Sequence, residues 1–263
     1  MNSDAVIHHI VQWLNEYAER AGSSGFVVGV SGGIDSAVTS ALAARTGRPV
    51  LCCEMPIHQA DSQVSRARKH IEALENDYSN VDAVWTQLTP VFDAFVAAMP
   101  TVVNEDQRFH ALANTRARIR MTTLYYFAGL HGYLVVGTGN KVEDFGVGFF
   151  TKYGDGGVDL SPIADLVKTE VYALGSALGV NDDIMDAMPT DGLWGDDRSD
   201  EDQIGASYPE LEWAMNHEAG NGKPTLTERQ REVLAIYQGL NRANRHKMEP
   251  IPVCEIPQWM RSV

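Results

Sequence analysis

The chain predicts an α/β fold: a single domain, residues 1–263, built on a doubly wound, mostly parallel sheet with helices on both faces. Three observations predict it. Short apolar runs alternate with segments of helical periodicity through the first half of the chain, the pattern of a parallel sheet covered on both sides. A glycine-rich turn joins the first such run directly to a helix. With 263 residues, 44% of them hydrophobic, the chain can bury one substantial core.

The elements follow in order. In "MNSDAVIHHIVQWLNEYAER", Val6, Ile10, Trp13, Leu14 and Tyr17 recur at helical spacing among acids and histidines, which predicts an amphipathic helix and not a signal peptide. Phe26 to Val30 reads as a short buried strand, and Ala37, Val38, Ala41 and Leu42 mark the helix after it. "PVLCCEMP" is a second strand, "SQVSRARKHIEAL" a helix with Val64, Ala67, Ile71 and Leu74 on one face, and "VDAVWTQL" a third strand. "PVFDAFVAAM" and the stretch from Asn104 to about His131 read as helices before a fourth strand, "YLVVGTG". Ligands of such sheets sit at the carboxyl ends of the strands, which places Ser31 and Thr138 on one edge. No internal repeat is visible, and no apolar run reaches the length of a membrane span.

Bulk charge and cysteine usage exclude some classes. A formal charge of −14 repels nucleic acid over most of the surface. Cys52 and Cys53 are adjacent on a strand and cannot form a Cys-x-x-Cys metal or redox site; with Cys254 they are read as residues of a protein in the reducing cytoplasm.

The turn "GVSGGIDSA", residues 29–37, carries chemistry. Gly32 and Gly33 lack a Cβ, so their amides can converge on an anion, and the helix N-terminus adds unpaired donors and partial positive charge. A tight turn with a capping Asp or Ser explains the glycines but not both flanking hydroxyls, Ser31 and Ser36. Asp35 repels an anion and makes sense if Mg²⁺ lies between it and the phosphates. The turn has neither a Walker ending nor a dinucleotide Gly-x-Gly-x-x-Gly. A second dense segment, residues 137–175, mixes Lys141, Glu143, Asp144, Lys152, Asp155, Asp159 and Lys168 with Phe145, Phe149, Phe150 and Tyr153. Charges of both signs beside aromatics at a strand end suit a substrate loop better than a solvated one.

"SGGIDS" after a strand resembles the signature of the ATP pyrophosphatases, which cleave ATP between its α and β phosphates. "GTGNKVE" leading to "FFTKYGDGG" and a lysine-bearing helix resembles the bacterial NAD synthetases more specifically. "NTRARIRM", "MPTDGLW", "SDEDQIGASYPELE" and "HKMEP" follow in the family's order. The resemblance implies an adenine nucleotide alpha hydrolase-like fold and a ligase that amidates deamido-NAD with ammonia. ATP goes to AMP and pyrophosphate through an acyl-adenylate, in a homodimer whose interface helps form the substrate site. It further implies that Gly29, Val30, Ser31, Gly32, Gly33, Ile34, Asp35, Ser36, Thr138, Lys168 and Thr190 bind ATP and that Asp35 and Glu143 hold Mg²⁺. Arg118, Lys152, Asp159, His246 and Lys247 would bind deamido-NAD, the His-Lys pair reaching across the dimer. Lys168 and Thr190 would act on the β and γ phosphates, and Asp155 would strip the proton from ammonium.

The pattern departs from many relatives over residues 144–148, where this chain carries one residue more. It starts within about thirty residues of Met1, leaving no room for the amidase domain of glutamine-using relatives, so ammonia is the expected donor, with a separate glutaminase as an open partner. Two alternatives stay open. Another ATP pyrophosphatase, such as a GMP synthetase core, shares the cradle but has no reason to carry "FFTKYGDGG"; a non-catalytic nucleotide-binding module leaves the two magnesium-ligand candidates unexplained.

Overall fold

Four parallel strands, β1 (Gly25–Gly29), β2 (Val50–Glu54), β3 (Val81–Trp85) and β4 (Tyr133–Val136), form a sheet in the order β3-β2-β1-β4. They belong to a computed structural model that describes residues 1–101, 103–190, 199–221 and 225–261. The registers Val28↔Cys52 and Val28↔Val136 put the carboxyl ends of β1, β2 and β4 level. Val136 also bridges Leu160 in parallel, which ties the segment after β4 to the sheet edge.

Helices cover both faces, as the alternation of the sequence predicts. On one side, α1 (Ser3–Ala21), α2 (Ile34–Ala44), α3 (Asp61–Asp77) and α6 (Lys168–Leu178) share a core that includes Leu14, Phe26, Val38, Leu42, Ile71 and Leu174. On the other, α4 (Thr89–Ala98) and α5 (Glu105–His131) pack Phe92 and Ala128 against Val27, Cys53 and Val135. Alternate residues of each strand therefore serve different cores, so a strand buried on both faces reads as a continuous apolar run.

Local chemistry sets the ends. Asn2 caps α1 by accepting the Ala5 amide, and Gly22 closes it in the left-handed region at φ 65°. Asn104 and Gly132 do the same for α5. Nearly every residue of α2 is buried, and its small side chains let α6 approach closely: a Cβ on Gly175 would lie 2.7 Å from Ile34 Cδ1.

The chain runs from β1 through α2 and β2 to β3 on one side of β1, then crosses by α4 and α5 to β4 on the other. The crevice at the carboxyl ends of β1 and β4 is thus the point where strand order reverses, the place such sheets bind ligands. A satellite core roofs it, built from a π turn (Val142–Val147), α8 (Asp200–Ile204), α9 (Tyr208–Asn216) and α10 (Glu228–Met248) around Val147, Leu211 and Tyr237. The four-residue α7 (Asp182–Met185) follows α6.

Candidate active site

The turn after β1 is built as an anion cradle. Gly32 takes φ 83°, and a Cβ there would lie 2.7 Å from the Gln63 carbonyl oxygen of α3. Gly33 precedes α2 with no side chain capping the helix, so first-turn amides stay available. The two serines are engaged with the loop itself: Ser36 Oγ donates to the Gly33 carbonyl at 3.0 Å, accepts the Ser31 amide at 3.2 Å and lies 3.1 Å from Ser31 Oγ. They hold the turn open for a ligand before one arrives.

Opposite the cradle, Lys168, the first residue of α6, is 3% exposed. Its Nζ donates to Asp35 Oδ2 at 2.5 Å and to Glu143 Oε1 at 2.9 Å. Asn140, wholly buried, ties the same two acids together: its amide nitrogen donates to Asp35 Oδ1 at 3.1 Å, and its Oδ1 accepts the Val142 and Glu143 amides. Burial alone would lower the Lys168 pKa, but the two carboxylates outweigh it and hold the ammonium well above its usual range. Burial would raise Glu143; Lys168 and the Tyr208 hydroxyl reverse that, and its carboxyl lies below the usual range. Asp35 is raised, because burial outweighs the attraction of Lys168.

Asp35, Glu143 and Lys168 line one cavity of about 260 Å³, together with Thr138, Asp155, Thr190 and the rest of Gly29–Ser36. Asp155 accepts the Thr151 amide at 3.0 Å and faces the open cavity. The surrounding protein pushes its carboxyl up to about 6 against the pull of backbone amides. Water in the open cavity relieves part of that push, so it is felt in full once substrate displaces the water. A second group gathers outside this cavity: Lys152 Nζ donates to the His246 carbonyl at 2.6 Å, and Lys247 Nζ to those of Gly148 and Phe150 at 2.7 Å. Arg118 Nε donates to the Lys152 carbonyl at 3.3 Å, and its side chain borders a separate shallow groove. Asp159 stands apart, its oxygens accepting the Tyr125 hydroxyl at 2.9 Å and the Val135 amide at 2.8 Å.

A buried lysine ammonium bridging two half-buried carboxylates beside a phosphate cradle, at the switch point of a 3-2-1-4 sheet, narrows the comparison with known proteins. The sequence model of the NAD synthase family matches residues 6–250. The chain belongs to the NAD synthase family. It is 35% identical over 267 residues to an NH(3)-dependent NAD(+) synthetase of Syntrophomonas wolfei, covering 100% of both chains. It is 40% identical over 206 residues to one of Methanococcoides burtonii, covering 77% of this chain and 75% of that one. Among solved structures it resembles an NMN synthetase from Francisella tularensis with a TM-score of 0.83 and 29% identity, covering 98% of this chain and 99% of that one.

Within this NAD synthase family member, several site residues were not legible in the sequence. Arg116 and Arg120 read as an exposed basic stripe, yet Arg116 stacks 4.5 Å over the Phe92 ring, while Arg120 lines the cavity and donates to the Met55 carbonyl at 3.0 Å and to Gln59 at 2.8 Å. Arg66 of α3 reaches the Gly32 carbonyl at 3.4 Å across 34 residues of sequence. The His-Lys pair, expected to reach across a dimer, contacts the 148–152 loop of its own chain. Residues Val142–Val147 form a π turn, a form that inserts one residue into a helical turn and recurs at functional sites. The turn puts the Asp144 carboxyl against Gly139, where a Cβ would force that side chain to move. Burial and the nearby Glu143, Asp155 and Asp35 charges push the Asp144 carboxyl up to about 8. Positions 191–194 of "MPTDGLW" lie outside the described residues.

Proposed function

We propose that the chain converts deamido-NAD to NAD by ATP-dependent amidation with ammonia, through an acyl-adenylate, within the ligase activity of its family. The observation that carries the reading is the Asp35–Lys168–Glu143 cluster closing the anion cradle. A carboxylate is a poor electrophile. Its oxygen attacks the α-phosphorus of ATP, an acyl-adenylate forms and pyrophosphate leaves, so the protein must neutralise the leaving charge and align two anions. The Gly29–Ser36 amides would hold the phosphates, with Thr138 near the strand end and Lys168 and Thr190 at the β and γ groups. Ammonia then attacks the acyl carbon, and AMP departs. Asp155, which lines the same cavity, would take the proton from ammonium.

The donor set fits magnesium. Among the described residues no group of three or more His, Cys, Asp or Glu side chains gathers as a metal cage. Mg²⁺ commonly uses one or two carboxylates plus substrate phosphates. Asp35 and Glu143 already share a cation, Lys168, and they would hold the metal, which when bound neutralises phosphate charge.

The second substrate is read on the Arg118, Lys152, His246 and Lys247 group, with Asp159 at a ribose. Two copies would complete it: Val91 and Phe95 of α4, Met99 just after it, and Tyr126 and Leu130 of α5 are exposed, apolar area suited to a homodimer. Ammonia is the direct donor in this reading, with a separate glutaminase as a possible supplier. The strand thiols Cys52 and Cys53 offer no nucleophile of their own, since burial pushes Cys52 up to about 12 and Cys53 higher still. Three free cysteines support a reducing, cytoplasmic setting. Among the described residues no helix is long and apolar enough to cross a membrane.

The test is direct. Protein, ATP, Mg²⁺, ammonium and deamido-NAD should yield NAD and AMP, and glutamine should not replace ammonium. The likeness to an NMN synthetase makes nicotinate mononucleotide the competing acceptor, assayed in parallel. Preferential amidation of the mononucleotide would replace this reading with that one.

A further inference from the structure

Tyr208, within "SYPELE", has so far entered only through its bond to Glu143, yet it touches both Glu143 and Lys168. It is 3% exposed at the start of α9. Its hydroxyl lies 2.5 Å from Glu143 Oε1 and 3.2 Å from Asp200 Oδ2, and Lys168 Nζ sits 4.6 Å from the centre of its ring. Its backbone amide is anchored on Glu201 Oε1 at 2.8 Å. The Asp200 amide in turn donates to the Pro189 carbonyl at 3.0 Å, the residue before Thr190. One side chain thus joins the π turn that carries Glu143, the first residue of α6, and the segment that carries Thr190.

The chemistry explains why a tyrosine stands there. A buried hydroxyl is costly unless bonded, and a short bond to a carboxylate is a strong one. Tyr208 and Lys168 bind the same oxygen of Glu143, which fixes the rotation of the carboxylate and hence the direction of Oε2. The ring gives the Lys168 ammonium a cation–π contact, so the lysine is steered as well. Groups behind a metal's direct ligands orient them in this way, and removing one weakens binding or activity roughly 10–100-fold.

We propose that Tyr208 is a positioning residue for the cation held between Asp35 and Glu143: its hydroxyl orients Glu143, its ring orients Lys168, and through Asp200 it fixes both relative to Thr190. The inference rests on the magnesium reading above. It is tested by titrating Mn²⁺, as a paramagnetic stand-in, into protein with saturating ATP and following free Mn²⁺ by electron paramagnetic resonance. Wild type, Glu143→Gln, Tyr208→Phe and Asp200→Asn are compared, with thermal unfolding of each. Tyr208→Phe should weaken Mn²⁺ binding roughly 10–100-fold. It should raise the Mg²⁺ concentration needed for pyrophosphate exchange by a similar factor and leave the KM for ammonia unchanged. Asp200→Asn, which keeps the ring and hydroxyl, should shift Mn²⁺ binding less and in the same direction, and it decides the matter if Tyr208→Phe does not fold. If Glu143→Gln weakens Mn²⁺ binding while a folded Tyr208→Phe binds as wild type, the positioning role is wrong and the metal reading stands. A folded Tyr208→Phe that only lowers thermal stability overturns the positioning role in the same way. If neither Glu143→Gln nor Tyr208→Phe alters binding, the metal reading fails and the inference falls with it.

Discussion

Replacing Lys168 by Met should expose how strongly the site is held together by one ammonium ion. The lysine is 3% exposed and its partners Asp35 and Glu143 are 17% and 16% exposed, so the three charges interact with little solvent between them. Methionine keeps most of the volume but leaves two carboxylates facing each other. Losing one partner of a buried ion pair costs about 3–5 kcal/mol. At roughly 2–4 °C per kcal/mol for a chain of this size, the thermal midpoint at pH 8 should fall by about 6–20 °C. The loss should shrink at lower pH. Without Lys168 the two acids share a proton, so one folded-state pKa rises above the unfolded value of about 4. The folded variant then binds the extra proton, and its stability grows as pH falls from 8 toward 5 and declines as pH rises. Asp144 and Asp155, pushed up to about 8 and about 6, already give wild type a slope of that sign, so the signature of the variant is a steeper slope than wild type over the same range. Millimolar Mg²⁺, taking the place of the ammonium, should recover part of the midpoint. Thermal unfolding followed by circular dichroism at pH 5.5 and pH 8, with and without Mg²⁺, reads all of this. A variant that melts within about 2 °C of wild type at pH 8 and shows no pH slope beyond that of wild type would refute the argument.

Three further outcomes are expected. Asp155→Asn should retain pyrophosphate exchange into ATP with deamido-NAD present, while NAD formation falls sharply and partly recovers at high pH, where free ammonia is abundant; exchange lost as completely as in Lys168→Ala would assign Asp155 to binding instead. His70, buried on α3 with its Nε2 2.9 Å from Ser40 Oγ, is pushed down to about 4 by burial. The unfolded chain therefore takes up that proton first: stability is full above about pH 6.5 and falls by about 3 kcal/mol as pH drops to 4, a slope that His70→Gln should reduce in urea titrations. Gly32→Ala would force a Cβ to within 2.7 Å of the Gln63 carbonyl oxygen at φ 83°, so it should cost about 1–3 kcal/mol and abolish ATP binding measured by calorimetry; wild-type ATP affinity would show that the cradle needs no glycine there.

The parts of this protein legible in its sequence are those decided by neighbours along the chain. Val28 and Val38 announce strand and helix because side-chain direction repeats every 2 or 3.6 residues, and Gly32-Gly33 announces a cradle because backbone freedom is local. The resemblance of "FFTKYGDGG" pointed to the family for the same reason: the signal lies in consecutive residues. Other properties were decided only by folding. Lys168 has the composition of an exposed helical lysine, and nothing near it in sequence reveals that α6 begins against Asp35, 133 residues away. Arg120 reads as part of a surface stripe until β2 brings the Met55 carbonyl within 3.0 Å. Tyr208 carries no signal of its own in the sequence, and the satellite roof alone sets its hydroxyl on Glu143, 65 residues distant. The physical reason is common to all three. Periodicity and turn chemistry act over a few residues, whereas burial and charge pairing depend on which elements the sheet order places side by side, and those interactions give each ionisable group its protonation and its role.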